Sequence, residues 1–343
     1  MERNGRRGLK GLLPITLALA GQRGAVPAPC PCGSGIAEHA CCLRADGTWV
    51  PPRIAIRRTT GRTGRVVTGC YAAALSDCDG RLSREHYVAD AVLRMVASQP
   101  VMAGFRGGRS IVGAANMVAK VLCQRHNEML SPLDGLAKRW VEALRAFFPG
   151  MHRSTHRPGD GRVLFHGDDI GRVLLKTLCA ISAGRVPVGD HLPPPAWTPP
   201  ESWLRILFDD AAWPEGWGLH VPVLRRGSDS SGVGFTLSRR VDQENRTVGL
   251  DFGVATLPFI LLMDTAPPSG DWGDEGFQIV VPQPSRVVVA MPGVTKTIEF
   301  GWATSRNGGT VTHRISSMRA HPVLALMRGD AAPKLPLPSS ARP

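Results

Sequence analysis

The sequence predicts an α+β protein that begins with a small metal-binding knuckle. A second metal-binding module with helices follows, and the C-terminal part is mainly β. Three observations predict this class. Seven of the eight cysteines lie before residue 124, in tight groups. Apolar residues between 131 and 182 recur at helical spacing. After Gly216 the pattern changes to short β-like runs separated by Gly, Pro and Asn, as expected of a sandwich or partly open sheet.

The charge of the 343-residue chain is strongly positive, with a formal net value of +13. Residues 1–68 hold eleven Lys and Arg against three Asp and Glu, so this fifth of the chain carries over half of the excess. Such a basic arm suits phosphate backbones or an anionic membrane surface. A merely solvated tail, with Arg favoured by codon bias, is the simpler alternative.

A short apolar stretch covers residues 12–20 and ends in Ala18-Leu19-Ala20, which resembles a signal-peptidase site. The stretch is interrupted by Pro14 and Thr16, and no later run reaches the roughly 18 apolar residues of a membrane helix. Grouped thiols in a chain of this size more often hold metal than disulfides. We therefore expect a cytoplasmic protein without stable membrane insertion.

The first cysteine group, which we call the knuckle, has the spacing C-x-C-x8-C-C, from Cys30 and Cys32 to Cys41 and Cys42. Zinc favours four soft ligands in a tetrahedron, and the turn at residues 33–35 can bring both thiol pairs to one ion. A disulfide between adjacent cysteines would be strained. Residues 1–50 therefore predict a zinc site, with His39 as a less favoured alternative ligand.

The knuckle resembles the SEC-C motif, a small zinc-binding segment at the end of the SecA translocation ATPase and in many other proteins. The resemblance covers about thirteen residues, including the Gly-Ser-Gly turn. It implies an accessory recognition role, with a protein partner bound through the knuckle. Residues 36–39 depart from the Lys-aromatic-Lys pattern of the motif.

The second group of metal-ligating and polar residues lies within residues 69–148. In chain order it comprises Cys70, Cys78, Glu85, His86, Asn116, Cys123, His126 and Asn127. Two cysteines on a turn and a C-x-x-H at a helix start predict a second zinc site. Hydrolysis of a phosphodiester needs a base beside the attacking water and a hard cation on the phosphate. Carboxylate and amide oxygens suit Mg²⁺ or Mn²⁺, whereas thiolates hold zinc.

This order of residues resembles the HNH endonucleases, whose ββα-metal fold contains a treble-clef zinc. The resemblance implies that His86 is the general base, that Asn116 orients it, and that Glu85 and Asn127 hold a catalytic Mg²⁺ or Mn²⁺. It also implies four structural zinc ligands: Cys70, Cys78, Cys123 and His126. The C-x7-C spacing, the His in place of a Cys, and the long interval before Asn116 depart from the family pattern. The alternatives are a non-catalytic nucleic-acid-binding module and a protein-interaction adaptor.

The remaining segments are assigned from composition and periodicity. Residues 51–68 read as a basic linker, and residues 106–109 as part of a substrate groove. We expect seven arginines to contact nucleic acid: Arg53, Arg57, Arg58, Arg62, Arg65, Arg106 and Arg109. Helices are predicted over 87–96, from a cap at Ser131 to Phe147, and over 168–182 within a helical connector (149–200). Residues 201–330 are mainly β, and residues 331–343 form a disordered tail.

Overall fold

The computed structural model describes most of the chain between residues 28 and 314. The described ranges are 28–57, 61–96, 101–105, 108–111, 117–147, 161–186, 193–194, 197–224, 235–242, 244, 246–254, 257–264, 277–291, 294–303 and 308–314. The predictions for residues 1–20, Arg58, Arg106, Asn116 and the tail 331–343 lie outside these residues. Arg109 belongs to a strand of which the backbone alone is described.

The predicted α+β class is confirmed. The described residues form four α-helices, which are α1 (Asp90–Val96), α2 (Gln124–Ala146), α3 (Gly167–Ala183) and α4 (Glu201–Phe208). The strands before α3 are β1 (Leu82–His86), β2 (Val101–Phe105), β3 (Gly108–Ile111), β4 (Val118–Cys123) and β5 (Arg162–His166). The later strands are β6 (Gly218–Leu224), β7 (Phe235–Val241), β8 (Thr247–Val254), β9 (Leu257–Leu262), β10 (Phe277–Pro282), β11 (Arg286–Met291), β12 (Val294–Gly301) and β13 (Thr310–Arg314). None of the described helices is both long and apolar enough to cross a membrane.

Strands β1 and β4 pair antiparallel, from Leu82 opposite Cys123 to His86 opposite Val118, and α2 begins directly after β4. The predicted start of this helix at Ser131 is wrong, because the helical apolar face already begins near His126. Pro132 therefore lies inside α2 and lacks the N–H that would reach the Glu128 carbonyl. The Ser131 hydroxyl donates to that oxygen at 2.9 Å, so the carbonyl keeps a partner.

The predicted helix at 168–182 is confirmed as α3, but it is more than a connector. Sixteen of its seventeen residues are buried, and it contacts α2, α4 and several strands. Its charged residues are buried with the apolar ones because they are paired: Asp169 with Arg172, and Lys176 with Glu85. α3 is therefore the central helix of the described part of the chain.

The strand-rich C-terminal part forms two sheets. The antiparallel sheet has the order β10-β6-β9-β8-β7, and the second sheet has the order β13-β11-β12-β5, with β5 parallel to β12 and β13 parallel to β11. One cluster of buried side chains extends from Cys70 to Val311, so the predicted module and the β part share a core. Trp140 of α2 links them, with ring centroids 5.1 Å from Phe252 and 5.0 Å from Phe259.

Candidate metal centres and the adjacent polar cluster

The four knuckle cysteines form a compact group. Their sulfur atoms all lie within 4.8 Å of one another. The Cys41 Sγ atom is 3.6 Å from that of Cys32 and 3.5 Å from that of Cys42. A zinc tetrahedron with bonds of about 2.3 Å has sulfur–sulfur edges of about 3.8 Å, whereas a disulfide is about 2.05 Å long. The group therefore fits a zinc ion held by four thiolates, without His39 in the set.

The turn between the thiol pairs depends on two glycines with left-handed backbone. Gly33 has a φ of +84° and Gly35 a φ of +75°, a region in which side chains with a Cβ are strained. Burial by itself would raise the pKa of the Cys32 thiol, but hydrogen bonds with Ser34, and with the thiols of Cys30 and Cys41, lower it to about 7. The turn therefore supplies a thiol that is readily deprotonated for metal binding.

The knuckle is docked onto β5, the edge strand of the four-stranded sheet. The Leu164 amide donates to the Pro31 carbonyl at 3.1 Å, and the Leu164 side chain packs against Cys30 and Cys42. Arg162, two residues earlier, lies 3.5 Å from a carboxylate oxygen of Glu38. Because an uncovered strand edge invites pairing with other chains, the knuckle also protects this edge.

The second group consists of Cys70, Cys78, Cys123 and His126, all of them buried. The sulfur atoms of the three cysteines surround the His126 Nδ1 atom, at 3.5 Å for Cys70, 3.8 Å for Cys78 and 3.2 Å for Cys123. A tetrahedral zinc with Zn–S near 2.3 Å and Zn–N near 2.05 Å gives sulfur–nitrogen edges of about 3.6 Å. Burial lowers the pKa of His126 to about 4, so its imidazole is neutral and can bind metal. The residues fit a closed structural zinc site.

The irregular spacing between Cys70 and Cys78 is accommodated by a tight local path. A short 3-10 turn, Ala73–Leu75, ends at Ser76, whose φ is +51°. The Cys78 amide then donates to the Arg65 carbonyl at 3.0 Å. This bond ties Cys78 to the segment just before Cys70, so the two thiols lie in one group. The loop supplies two ligands, and the start of α2 supplies the other two.

A buried charged cluster lies beside this second group, between β1, α2 and α3. Glu85 is 2% exposed, and its Oε1 atom is 2.9 Å from the Lys176 Nζ atom. The same ammonium lies 2.5 Å from Asp134 Oδ1. Burial raises the pKa of Glu85. Burial opposes the charge of Lys176 as well, but the two carboxylates outweigh it and raise its pKa, so the ammonium is retained.

His86 lies at the end of β1, next to this cluster. Its Nε2 atom is 3.6 Å from Asp90 Oδ1, and its side chain is 33% exposed. Burial lowers the pKa of His86 despite the attraction of Asp90, so the imidazole is neutral near pH 7. His86, Asp134 and Lys176 line one cavity of about 10 Å³, which is about the space that a single water needs.

Asn127 faces β1 from the first turn of α2. Its Nδ2 atom donates to Ser83 Oγ at 3.1 Å. Asn127 and Asp134 are seven residues apart, so they lie on the same face of α2. The described contacts thus bring Glu85 and His86 toward Asp134, whereas none of the described hydrogen bonds joins Asn127 to Glu85 or His86.

Arg53, predicted to bind nucleic acid, is half-buried and paired with aspartates of the fold. Its Nε atom is 3.0 Å from Asp169 Oδ1, and its guanidinium also pairs with Asp210. The amide of Ile54 donates to the second Asp169 oxygen at 2.6 Å. These bonds fix the first part of the predicted linker to the start of α3, so a phosphate contact by Arg53 would have to compete with these aspartates.

The other described arginines of the linker face solvent. Arg57, Arg62 and Arg65 are exposed, although Arg62 lies 3.9 Å from Asp209 and Arg65 lies 3.4 Å from Asp79. Exposed ion pairs of this kind contribute little and exchange readily with other anions. These three side chains remain candidates for phosphate contacts.

Three residues near His86 escaped prediction from the sequence. Lys176 is the one charged residue in the mostly apolar stretch from Val173 to Ser182, a pattern that signals a buried and paired lysine. Asp134 follows Asn127 at a two-turn spacing, and Asp90 follows His86 four residues later. Only these local signals were available, because the contacts between the segments depend on the folded core.

The described residues therefore contain two groups with the ligand types and spacing of structural zinc sites, and a buried charged cluster beside the second. Comparisons of the chain with protein-family models, with curated proteins and with solved structures find no match. The geometry of the chain itself is the basis for its functional interpretation.

Proposed function

We propose that the chain is an HNH-like phosphodiesterase that cleaves DNA or RNA, stabilised by zinc and dependent on Mg²⁺ or Mn²⁺. One observation carries the proposal. Three elements meet at one four-ligand group: the loop with Cys70 and Cys78, the β1–β4 pair, and the start of α2. His86 lies at the end of β1, opposite Val118 of β4. This is the ββα order that the resemblance implies, with Asn127 in the first helical turn beside β1.

His86 is the proposed general base. A neutral imidazole can take the proton of an attacking water, and Asp90 is positioned to orient it. Asn127 is a proposed ligand of the divalent ion, because its amide nitrogen is used on Ser83 and its oxygen remains for a cation. A bound Mg²⁺ or Mn²⁺ would neutralise charge on the scissile phosphate. Arg57, with the other exposed arginines of residues 51–68, would hold the flanking phosphates.

The test is cleavage of supercoiled plasmid, single-stranded DNA and single-stranded RNA with added Mg²⁺ or Mn²⁺. We expect His86→Ala to lower the rate by at least about a hundredfold, the range of general-base catalysis, while the zinc content stays unchanged. His39→Ala is the matched control, since His39 is exposed and outside both ligand groups. Equal rates for the His86 variant and the wild type would refute the assignment of the base.

The second candidate is a non-catalytic, zinc-dependent nucleic-acid-binding module. The contact between Lys176 and Glu85 favours it, because an ammonium 2.9 Å from the carboxylate opposes a divalent cation there. The proposed metal-ligand role of Glu85 requires its carboxylate to leave Lys176. Binding that weakens with salt, without cleavage under any divalent ion, would favour this candidate over the nuclease.

A further inference from the structure

A groove of about 860 Å³ lies away from the cluster at Glu85. Residues 44–53, which follow the knuckle, form one wall. The other wall comes from the four-stranded sheet and includes Arg286 of β11 and Trp302, which follows β12. His166, the last residue of β5, lies on its lining. The volume is within the range of small-ligand sites.

Two tryptophans line the opposite walls of this groove. The Trp302 indole is fixed, since its Nε1 atom donates to the Pro284 carbonyl at 3.1 Å. Its ring lies so close to Gly167 that a Cβ there would overlap it. Trp49, on the other wall, has the Arg162 guanidinium 5.2 Å from its ring centroid. Aromatic side chains held in place are the platforms on which nucleic-acid bases stack.

The charge of the groove suits a phosphate. Arg286 uses its Nε atom on both oxygens of Glu299, each at 3.0 Å, and none of the described bonds uses its terminal nitrogens. Arg162 also pairs with Glu299 at 3.5 Å, so this buried carboxylate is neutralised by two arginines. Arg44 is exposed, and no ion pair of its side chain is among the described contacts. Arg44 and Arg286 therefore place two guanidinium groups on the groove lining. The lining also carries the carboxylate of Asp46, whose pKa is lowered by hydrogen bonds from Thr48 and by the charge of Arg44.

A buried polar atom on the groove lining has no partner among the described residues. His166 is 5% exposed, and its Nδ1 atom makes no described hydrogen bond. The nearest carboxylate oxygen, on Asp168, lies 3.7 Å away and accepts the Ala303 amide at 3.1 Å. A buried nitrogen without a partner is costly unless a water or a ligand meets it. Because the Nδ1 atom itself is buried, His166 can supply that bond to a group that reaches into the lining from the groove.

We propose that this groove binds a nucleoside phosphate unit, either as a free nucleotide or as an unpaired nucleotide of a single strand. The base lies against Trp49 or Trp302, and the phosphate lies between Arg44 and Arg286. His166 precedes α3, and Lys176 follows ten residues later, so about 15 Å of helix separates the groove from the cluster at Glu85. The inference does not depend on the proposed nuclease activity.

The test measures binding of the full chain without added Mg²⁺ or Mn²⁺. The probes are 5′-AMP, by calorimetry, and fluorescein-labelled 12-nucleotide oligo(dT) and oligo(rU), by anisotropy. We expect the double variant Arg44→Ala with Arg286→Ala to bind at least about tenfold more weakly. Its plot of log affinity against log salt should be less steep by roughly 0.7 for the oligonucleotides, because the two arginines together hold one phosphate of the single strand.

The matched control is the double variant Arg205→Ala with Arg246→Ala, which removes two exposed arginines paired within their own segments. It should bind within about twofold of the wild type. If the groove variant loses structure, Arg44→Glu changes only an exposed side chain and should weaken binding further than Arg44→Ala.

The two probe classes distinguish the sources of the ligand. Weakened binding of 5′-AMP by the groove variant indicates a free nucleotide, and weakened binding of the oligonucleotides alone indicates a single strand. Absence of binding by the wild type, or equal weakening by the control, overturns the proposal. Loss of cleavage on His86→Ala with unchanged binding separates this site from the proposed catalytic one.

Discussion

Replacement of Lys176 by Met removes the ammonium that lies between Glu85 and Asp134. The methionine has a similar length, so the main change is the loss of charge 2.9 Å from a carboxylate that is 2% exposed. Removing one partner of a buried ion pair leaves the other charge uncompensated, at a cost of about 3–5 kcal/mol. We therefore expect Lys176→Met to lower the free energy of unfolding by about that amount at pH 7.

The loss should depend on pH, with a definite sign. Burial already raises the pKa of Glu85 in the presence of Lys176, and loss of the ammonium raises it further. When the pKa of a carboxyl group is higher in the folded state, its contribution to stability is fully present below the unfolded-state pKa, near 4.3. That contribution is lost as the pH rises through the folded-state pKa. The deficit of the variant should therefore be smaller at pH 6 than at pH 8.

The assay is urea unfolding of the zinc-loaded protein at pH 6, 7 and 8, followed by circular dichroism and tryptophan fluorescence. Lys138→Met is the matched control, because this lysine is half exposed and lies 3.8 Å from Glu142. It should change stability by less than about 0.5 kcal/mol. The double variant Glu85→Gln with Lys176→Met should regain at least half of the loss and show little pH dependence. A loss below about 1 kcal/mol for Lys176→Met, equal at all three pH values, would refute the reasoning.

Two further predictions concern the metal sites and the packing of the linker. Mass spectrometry should find about two zinc ions per chain, and about one in either Cys41→Ser or Cys123→Ser. The midpoint of thermal unfolding should fall more for Cys123→Ser, at a buried position, than for Cys41→Ser, at an exposed one. A Cβ at Gly301 would overlap Pro51, so Gly301→Ala should cost about 1–3 kcal/mol in urea unfolding. Gly135→Ala, in α2 with open space around it, should instead add about 0.5–1 kcal/mol.

The metal-ligand groups could be predicted from sequence because their signals are local. The knuckle ligands lie within thirteen residues, and the pair Cys123 and His126 lies within one helical turn. Most C-terminal strands also follow from short β-like runs. The strand pattern of β9 is weaker, because Pro258 interrupts its apolar run. The structure tolerates this proline because β6 pairs with β9 only from Leu262 to Ile260. At Pro258 no β6 residue is paired, so the missing N–H leaves no hydrogen bond to β6 unmade.

The polar contacts could not be predicted, because they join segments distant in sequence. Glu85 and Lys176 are separated by ninety-one positions, and no spacing rule relates β1 to α3. The same limit applies to Arg53. Its setting among basic residues favours a free nucleic-acid contact, but Asp169 and Asp210 are brought to it by the fold. The start of α2 was misplaced because Ser131 and Pro132 form a good helix-start signal, which the buried residues before them override.

The buried helix α3 connects these features physically. Aspartates in the first turn of a helix are favoured by its dipole, and Asp169 there holds Arg53 and the Ile54 amide of the predicted linker. About 10 Å further along the helix, Lys176 holds Glu85 next to His86. Because α3 is buried on nearly every side, a shift at one end must be taken up by the packed core rather than by solvent. The position of the linker and that of β1 are therefore set by one rigid element. This explains why residues that read as a free basic arm are held against the same core as the proposed catalytic histidine.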